Sequence, residues 1–296
     1  MGPNLYGIKA AVVGGDKREL FLIRELVNLG ARIRVMGLPF EENLDGVEIC
    51  RVPEACLEGV DATILPVPGF NEGGIVYSPL SDRLLDINSM KEWIPAGSYV
   101  FIGSARPLLY ELAGRKGLRI IELMKLDEIA VLNSIPTAEG AVQLAMELMP
   151  STIHGCNAFV LGFGRVGMTL ARLVGAMGAR TLVVARRLEQ LARITEMKLI
   201  PVPFDKMAGY LDQAEVIFNT IPAPVLTGKV LEKVPPEAVI IDLASAPGGT
   251  DFSRAESLGI KAVFAPGLPG KVAPKTAGKI LAGVIARILS EEAGVC

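Results

Sequence analysis

Ala158-Phe159-Val160-Leu161-Gly162-Phe163-Gly164-Arg165-Val166-Gly167 is the stretch from which the rest of the chain can be read. A four-residue apolar run leads into glycines spaced G-x-G-x-x-G, and Val166 to Met177 continues with helical period. A lone glycine triplet is weak evidence, but between a strand and a helix it marks a phosphate-binding turn. Gly162 permits the tight turn, Gly164 lets the backbone approach a pyrophosphate, and Gly167 lets helix and strand pack closely. The helix N-terminus adds N–H donors and positive potential. Gly162, Phe163, Gly164, Arg165, Val166 and Gly167 are therefore assigned to a dinucleotide.

The next strand bears on which dinucleotide. An NAD site usually carries an acid about 20 residues on, for the ribose 2′-hydroxyl. Here the strand Ala179 to Ala185 runs into Arg186-Arg187 with no acid at its tip. Ala185, Arg186 and Arg187 suit a 2′-phosphate, so NADP is favoured over NAD. Of the two arginines, Arg187 reads more readily as a solvated charge at a helix start.

Working outward, short apolar runs alternate with helical segments along the whole chain, the pattern of parallel sheets covered on both faces. Strands are expected at Ile8 to Val13, Ile33 to Gly37, Ala62 to Pro66 and Tyr99 to Gly103 in the first half. In the second half they fall at Val216 to Asn219, Val239 to Asp242 and Lys261 to Phe264. Helices are expected at Arg18 to Leu29, Glu189 to Met197 and Pro274 to Glu291, with an irregular lobe at 68–98 holding one helix near Asp82 to Asp86. Asn133-Ser134-Ile135-Pro136-Thr137 reads as a break, with Thr137 capping a helix from Ala138 to Met149. The expected architecture is α/β, with two doubly wound domains flanking a cleft and the C-terminal helix packing back on the first. The expected domains are 1–132 with 275–296 on the substrate side, a hinge helix at 133–150, and an NADP-binding domain at 151–274.

Ligands of open α/β sheets bind beyond the carboxyl ends of the strands. Four loops of the second half fall there. The glycine turn is one. Asn219-Thr220-Ile221-Pro222 and the strand-end Asp242 are assigned to the cofactor. The segment Ser245 to Asp251 is richer in glycine than a connection needs, and Ser245, Gly248, Gly249 and Thr250 are assigned to substrate. In the last loop, Pro269 and Thr276 join them, because successive amides there can form anion nests. Lys275 and Thr276 stand at a helix start suited to a carboxylate. In the first half, Gly14-Gly15-Asp16-Lys17-Arg18 lacks dinucleotide spacing and reads as a substrate-side loop with Asp16 and Arg18. A capping Asp and a surface Arg is an equal reading. Lys275 and Asp251 are the candidate catalytic groups.

Composition removes other classes. The 296 residues carry 30 Lys and Arg against 32 Asp and Glu, a net charge of −2. That balance argues against a nucleic-acid or acidic-membrane partner. There is no run of 18 apolar residues, so no bilayer span is expected. The start of the chain lacks signal-peptide features, giving a cytoplasmic expectation. One His and four scattered Cys make a zinc site or disulfide framework improbable, and no metal is expected. His154 reads as a structural turn residue. The apolar excess, half of all residues, suggests buried subunit surface and a homo-oligomer.

A set of segments resembles the A-subunit family of dipicolinate synthases from spore-forming bacteria. It comprises Gly14-Gly15-Asp16, Asn133 to Thr137, Ile153-His154-Gly155, Leu191 to Met197, Asn219 to Pro222, Pro247 to Phe252, Pro266 to Gly270 and Ala273 to Gly278. The chain is also similar to the wider D-2-hydroxy-acid and alanine dehydrogenase group, in which a catalytic half accompanies a Rossmann half. The missing catalytic His departs from the hydroxy-acid branch. The resemblance implies NADP-dependent aromatisation of dihydrodipicolinate, a small dicarboxylate from the lysine pathway, to dipicolinate. It also implies a flavoprotein-like B subunit and a place in the mother-cell cytoplasm during sporulation. Two alternatives stay open: a cofactor-binding structural or sensing subunit with the chemistry on the flavoprotein partner, and a 2-hydroxy-acid or alanine dehydrogenase-like enzyme.

Overall fold

A computed structural model describes residues 2–40 and 44–292 of the chain. It divides into two compact units, one formed up to Leu132 together with the segment from Ala273, the other Asn133–Val272. The first unit contains β1 (Lys9–Val13), α1 (Lys17–Asn28), β2 (Arg32–Met36), β3 (Val47–Ile49), α2 (Pro53–Leu57) and β4 (Ala62–Ile64). It continues with α3 (Ile87–Met90), β5 (Tyr99–Ile102), α4 (Pro107–Lys116) and β6 (Arg119–Glu122). Its strands pair in parallel in the order β3-β2-β1-β4-β5-β6. Alternate residues feed two cores. Ala10 and Val12 meet Leu22, Leu26 and Ile285, while Ala11 and Val13 join Cys56, Val100 and Ile102.

Helix α5 (Asp127–Leu148) leads into the second unit. There follow β7 (Asn157–Leu161), α6 (Arg165–Ala176), β8 (Arg180–Ala185), α7 (Leu188–Glu196), β9 (Ile200–Pro203) and β10 (Val216–Asn219). Then come α8 (Gly228–Leu231), β11 (Val239–Asp242), α9 (Phe252–Ser257), β12 (Lys261–Phe264) and α10 (Leu268–Val272). The order β12-β11-β10-β7-β8-β9 repeats the doubly wound pattern, all parallel, with its switch point between β7 and β10.

Helix α11 (Pro274–Glu292) returns to the first unit, as expected, and packs along α1. Gly278 makes the close approach possible: a Cβ there would lie 2.4 Å from the Arg18 carbonyl oxygen. Lys279 pairs with Glu25 at 2.9 Å along the same contact.

Several expectations need correction. The break at Asn133–Thr137 does not exist, because α5 runs through Pro136. Thr137 is not a cap; its hydroxyl donates to the Asn133 carbonyl at 2.7 Å within the helix. Burial of Ser134, Ala138, Ala141 and Ala145 outweighs the local cost of one missing N–H. The lobe's helix lies at Ile87–Met90, where Asp86 caps it through Asn88 N, rather than at Asp82 to Asp86. Part of the expected loop at 265–278 is helix α10, so Pro269 sits inside a helical turn.

Candidate active site

β7 ends at Leu161, and the backbone turns at Gly162 with φ +96°, a region closed to most side chains. A Cβ on Gly162 would meet Thr220 Oγ1 at 2.6 Å, and one on Gly167 would meet the Gly162 carbonyl oxygen at 2.2 Å. Gly164 is the exception: nothing lies within 4 Å of its Cβ position. So packing requires the first and third glycines, while the second faces open space. Gly164 is also the N-cap of α6, and no side chain caps that helix. The first-turn amides of Val166 and Gly167 lie ahead of the first intrahelical acceptors, where a helix start can meet an anion. Gln190 Nε2 donates to the Phe163 carbonyl at 3.1 Å and braces the turn from α7. The residues present therefore fit a pyrophosphate.

At the tip of β8 the two arginines differ. Arg187 is the N-cap of α7 and pairs with Glu189 at 3.2 Å, both exposed. Arg186 is exposed and lies 4.4 Å from the centroid of the Phe204 ring.

Asp242 is fully buried and accepts four hydrogen bonds. Asn219 Nδ2 and Ala244 N each donate to Oδ1 at 3.1 Å. Gly249 N donates to Oδ2 at 2.8 Å, and Thr250 Oγ1 does so at 2.6 Å. Asn219 Oδ1 in turn accepts from Ile221 N at 3.0 Å. Thr220 Oγ1 donates to the Leu161 carbonyl at 2.8 Å. Asp242, assigned from its strand-end position to the cofactor, instead ties the loops after β10 and β11 together. Of the residues at 245–250 assigned to substrate, Gly248, Gly249 and Thr250 are corrected for the same reason. Gly248 N donates to the Ser245 carbonyl at 2.9 Å and Asp251 N to that of Leu226 at 3.0 Å, so these amides are turned onto the protein. Asp251 caps α9, accepting from Arg254 N at 3.0 Å. A D-x-x-x start to a short helix was the sequence signal for that role.

In the first unit, Asp16 caps α1 in a capping box with Glu19, as the capping half of the alternative reading has it. Arg18 Nε and Nη2 donate to Asp16 Oδ1 and Oδ2 at 3.0 and 2.9 Å. Arg18 is 7% exposed, so it is no surface residue. Burial works to raise the Asp16 pKa, and the hydrogen bonds from Arg18 outweigh it and hold the carboxyl below its ordinary value. Glu19 is 1% exposed, and burial pushes it up to about 7 against the opposing pull of Arg18. Lys275 and Thr276 are exposed on the first turn of α11, next to α1 through the Gly278 contact. His154 sits in its turn with Nδ1 3.2 Å from the Met177 carbonyl oxygen. Among the described residues, no three or more of His, Cys, Asp and Glu are grouped to hold a metal. No described helix is long and apolar enough to cross a membrane.

An uncapped glycine turn at the switch point of a doubly wound sheet defines a dinucleotide-binding protein of the dehydrogenase class. Residues 133–247 match the D-isomer specific 2-hydroxyacid dehydrogenase NAD binding domain, and residues 9–124 match the N-terminal domain of the dipicolinate synthase A-subunit. The chain is 42% identical over 289 residues to the dipicolinate synthase A-subunit of Bacillus subtilis, covering 97% of each. The solved structure of the Bacillus halodurans dipicolinate synthase A-subunit aligns with TM-score 0.92 at 42% identity, covering 97% of this chain and 99% of that one. An L-alanine dehydrogenase at 14% identity shares the fold, with TM-score 0.67 over 97% of this chain and 90% of its own. The chain belongs to the A-subunit family of dipicolinate synthases.

Proposed function

We propose that the protein catalyses the NADP-dependent oxidation of dihydrodipicolinate to dipicolinate. The observation that carries the cofactor half is the division of labour among the glycines: two locked by packing, and one, Gly164, open above an uncapped helix start. The relative's name supplies the substrate half. NADP⁺, when bound, would supply the hydride acceptor for a ring carbon of the substrate. The amides of Val166 and Gly167 would hold its pyrophosphate, and Arg186 its 2′-phosphate.

The product ring is aromatic, so loss of hydride is strongly driven and the accompanying proton needs only a modest base. This is consistent with a chain whose one His is a turn residue. A dicarboxylate calls for cationic and amide donors. Lys275 and Thr276 at the start of α11 supply an exposed cation, a hydroxyl and helix amides. Arg18 lies alongside, its Nε and Nη2 already held by Asp16. Of the two candidate catalytic groups, Asp251 has one oxygen engaged in capping α9, and Lys275 is exposed at the start of α11. The relative's designation as one subunit of a synthase supports a partner chain, and the family resemblance alone suggests that this partner is flavoprotein-like.

The test is turnover by the chain alone. Freshly generated dihydrodipicolinate with NADP⁺ should give absorbance at 340 nm in step with dipicolinate. Dipicolinate formed only on adding a flavin-bearing partner, with no NADPH, would move the chemistry elsewhere. Turnover of pyruvate with NADPH would point to the 2-hydroxy-acid or alanine dehydrogenase reading.

A further inference from the structure

Ala185 and Pro203 are register partners at the ends of β8 and β9, so the sheet delivers Arg186 and Phe204, the next residue of each strand, to the same spot. The Phe204 ring is half-buried against the core behind β8, and the Arg186 guanidinium rests over it, 4.4 Å from the centroid. Among the described residues that guanidinium makes no hydrogen bond or ion pair. The ring covers one face of the cation and leaves the in-plane N–H donors uncommitted. Arg187 differs on both counts, being paired with Glu189 and serving as the N-cap of α7. A guanidinium held on an aromatic face keeps its planar fork of donors and loses less freedom on meeting a phosphate.

We propose that Phe204 is the positioning residue for cofactor choice: it fixes Arg186, and not Arg187, as the contact for a 2′-phosphate. This rests on the NADP reading above and goes further, by placing the discrimination in a residue of the neighbouring edge strand. The signal was legible only through strand pairing, since 18 positions separate the two residues and β9 reads poorly as a strand.

The experiment is calorimetric titration of the whole chain with NADPH and with NADH, for wild type and for Phe204→Leu, Phe204→Tyr and Arg187→Ala. Phe204→Leu keeps apolar volume in the core and removes the π face. It should weaken NADPH by about fivefold, the scale of an exposed cation–π contact, and leave NADH unchanged. Phe204→Tyr should keep the wild-type ratio, as should Arg187→Ala. An unchanged NADPH-to-NADH ratio in Phe204→Leu, or equal weakening of both cofactors, overturns the proposal. Equal affinity of the wild type for the two cofactors is a separate result and removes the NADP assignment itself.

Discussion

Replacing Gly164 with Ala separates ligand binding from folding. Gly164 has φ −87° and ψ −161°, backbone that any L-residue adopts, and its Cβ would meet no atom within 4 Å. Ala is a poorer N-cap than Gly but restricts the unfolded chain. These opposing effects leave stability within about 1 kcal/mol. The methyl group stands in the space a pyrophosphate must enter. Losing one charge-assisted amide–phosphate bond, worth about 1.5–3 kcal/mol, lowers dinucleotide affinity at least about tenfold. Gly167→Ala is the contrast. Its Cβ would lie 2.2 Å from the Gly162 carbonyl oxygen, so helix and strand must separate. Overpacking of that kind costs about 1–3 kcal/mol, and the turn is lost with it. Thermal unfolding and NADPH titration of both variants provide the assay. Wild-type affinity in Gly164→Ala would refute the reasoning, because the added methyl would then stand clear of the ligand.

Three further outcomes follow from the buried polar groups. Glu19 has a folded pKa of about 7 against an ordinary value of 4.5, so the folded state holds a proton that the unfolded state releases. Stability from this group is therefore greatest below about pH 4.5 and declines as pH rises through 7. Glu19→Gln should match wild type near pH 5 and exceed it near pH 8 by about 2–3 kcal/mol in urea unfolding; a pH-independent difference would contradict this. Asp242→Asn faces an amide NH₂ toward two donors whichever way it turns, since each oxygen accepts two. It should cost about 3 kcal/mol or more, seen as a lower urea midpoint, and an unchanged midpoint would show that the hub carries little. Thr63 has a buried hydroxyl with no hydrogen-bond partner among the described residues. Thr63→Val should raise stability by about 1 kcal/mol, whereas a loss would mean that the hydroxyl is satisfied by water.

The central strands and the glycine turn were legible because apolar runs and glycine spacing are local signals. The edge strands β3, β6 and β9 were not. β3 is three residues with two exposed, β6 is exposed at one end, and β9 is Ile-Pro-Val-Pro. An edge strand tolerates proline and polar residues because one side of its ladder is unpaired. The continuity of α5 through Pro136 was hidden because local propensity argues for a break, while a buried alanine face, a tertiary effect, holds the helix together. Among site residues, Gly162 and Gly167 make the close packing approaches that their spacing implies, and the Cβ position of Gly164 faces open space. Asp242 was placed at the right strand end but given the wrong neighbour, because nothing in the sequence says that the loop of Gly249 and Thr250 folds back over it. Arg18 was legible as a charge near a glycine pair, while its side-chain commitment to Asp16 is a detail beyond the capping signature.

A crystal structure of the chain grown with NADP⁺ tests the central claim most directly. The account predicts pyrophosphate density against the amides that follow Gly164, with the 2′-phosphate beside Arg186. A dinucleotide bound elsewhere, or none at saturating concentration, would contradict it.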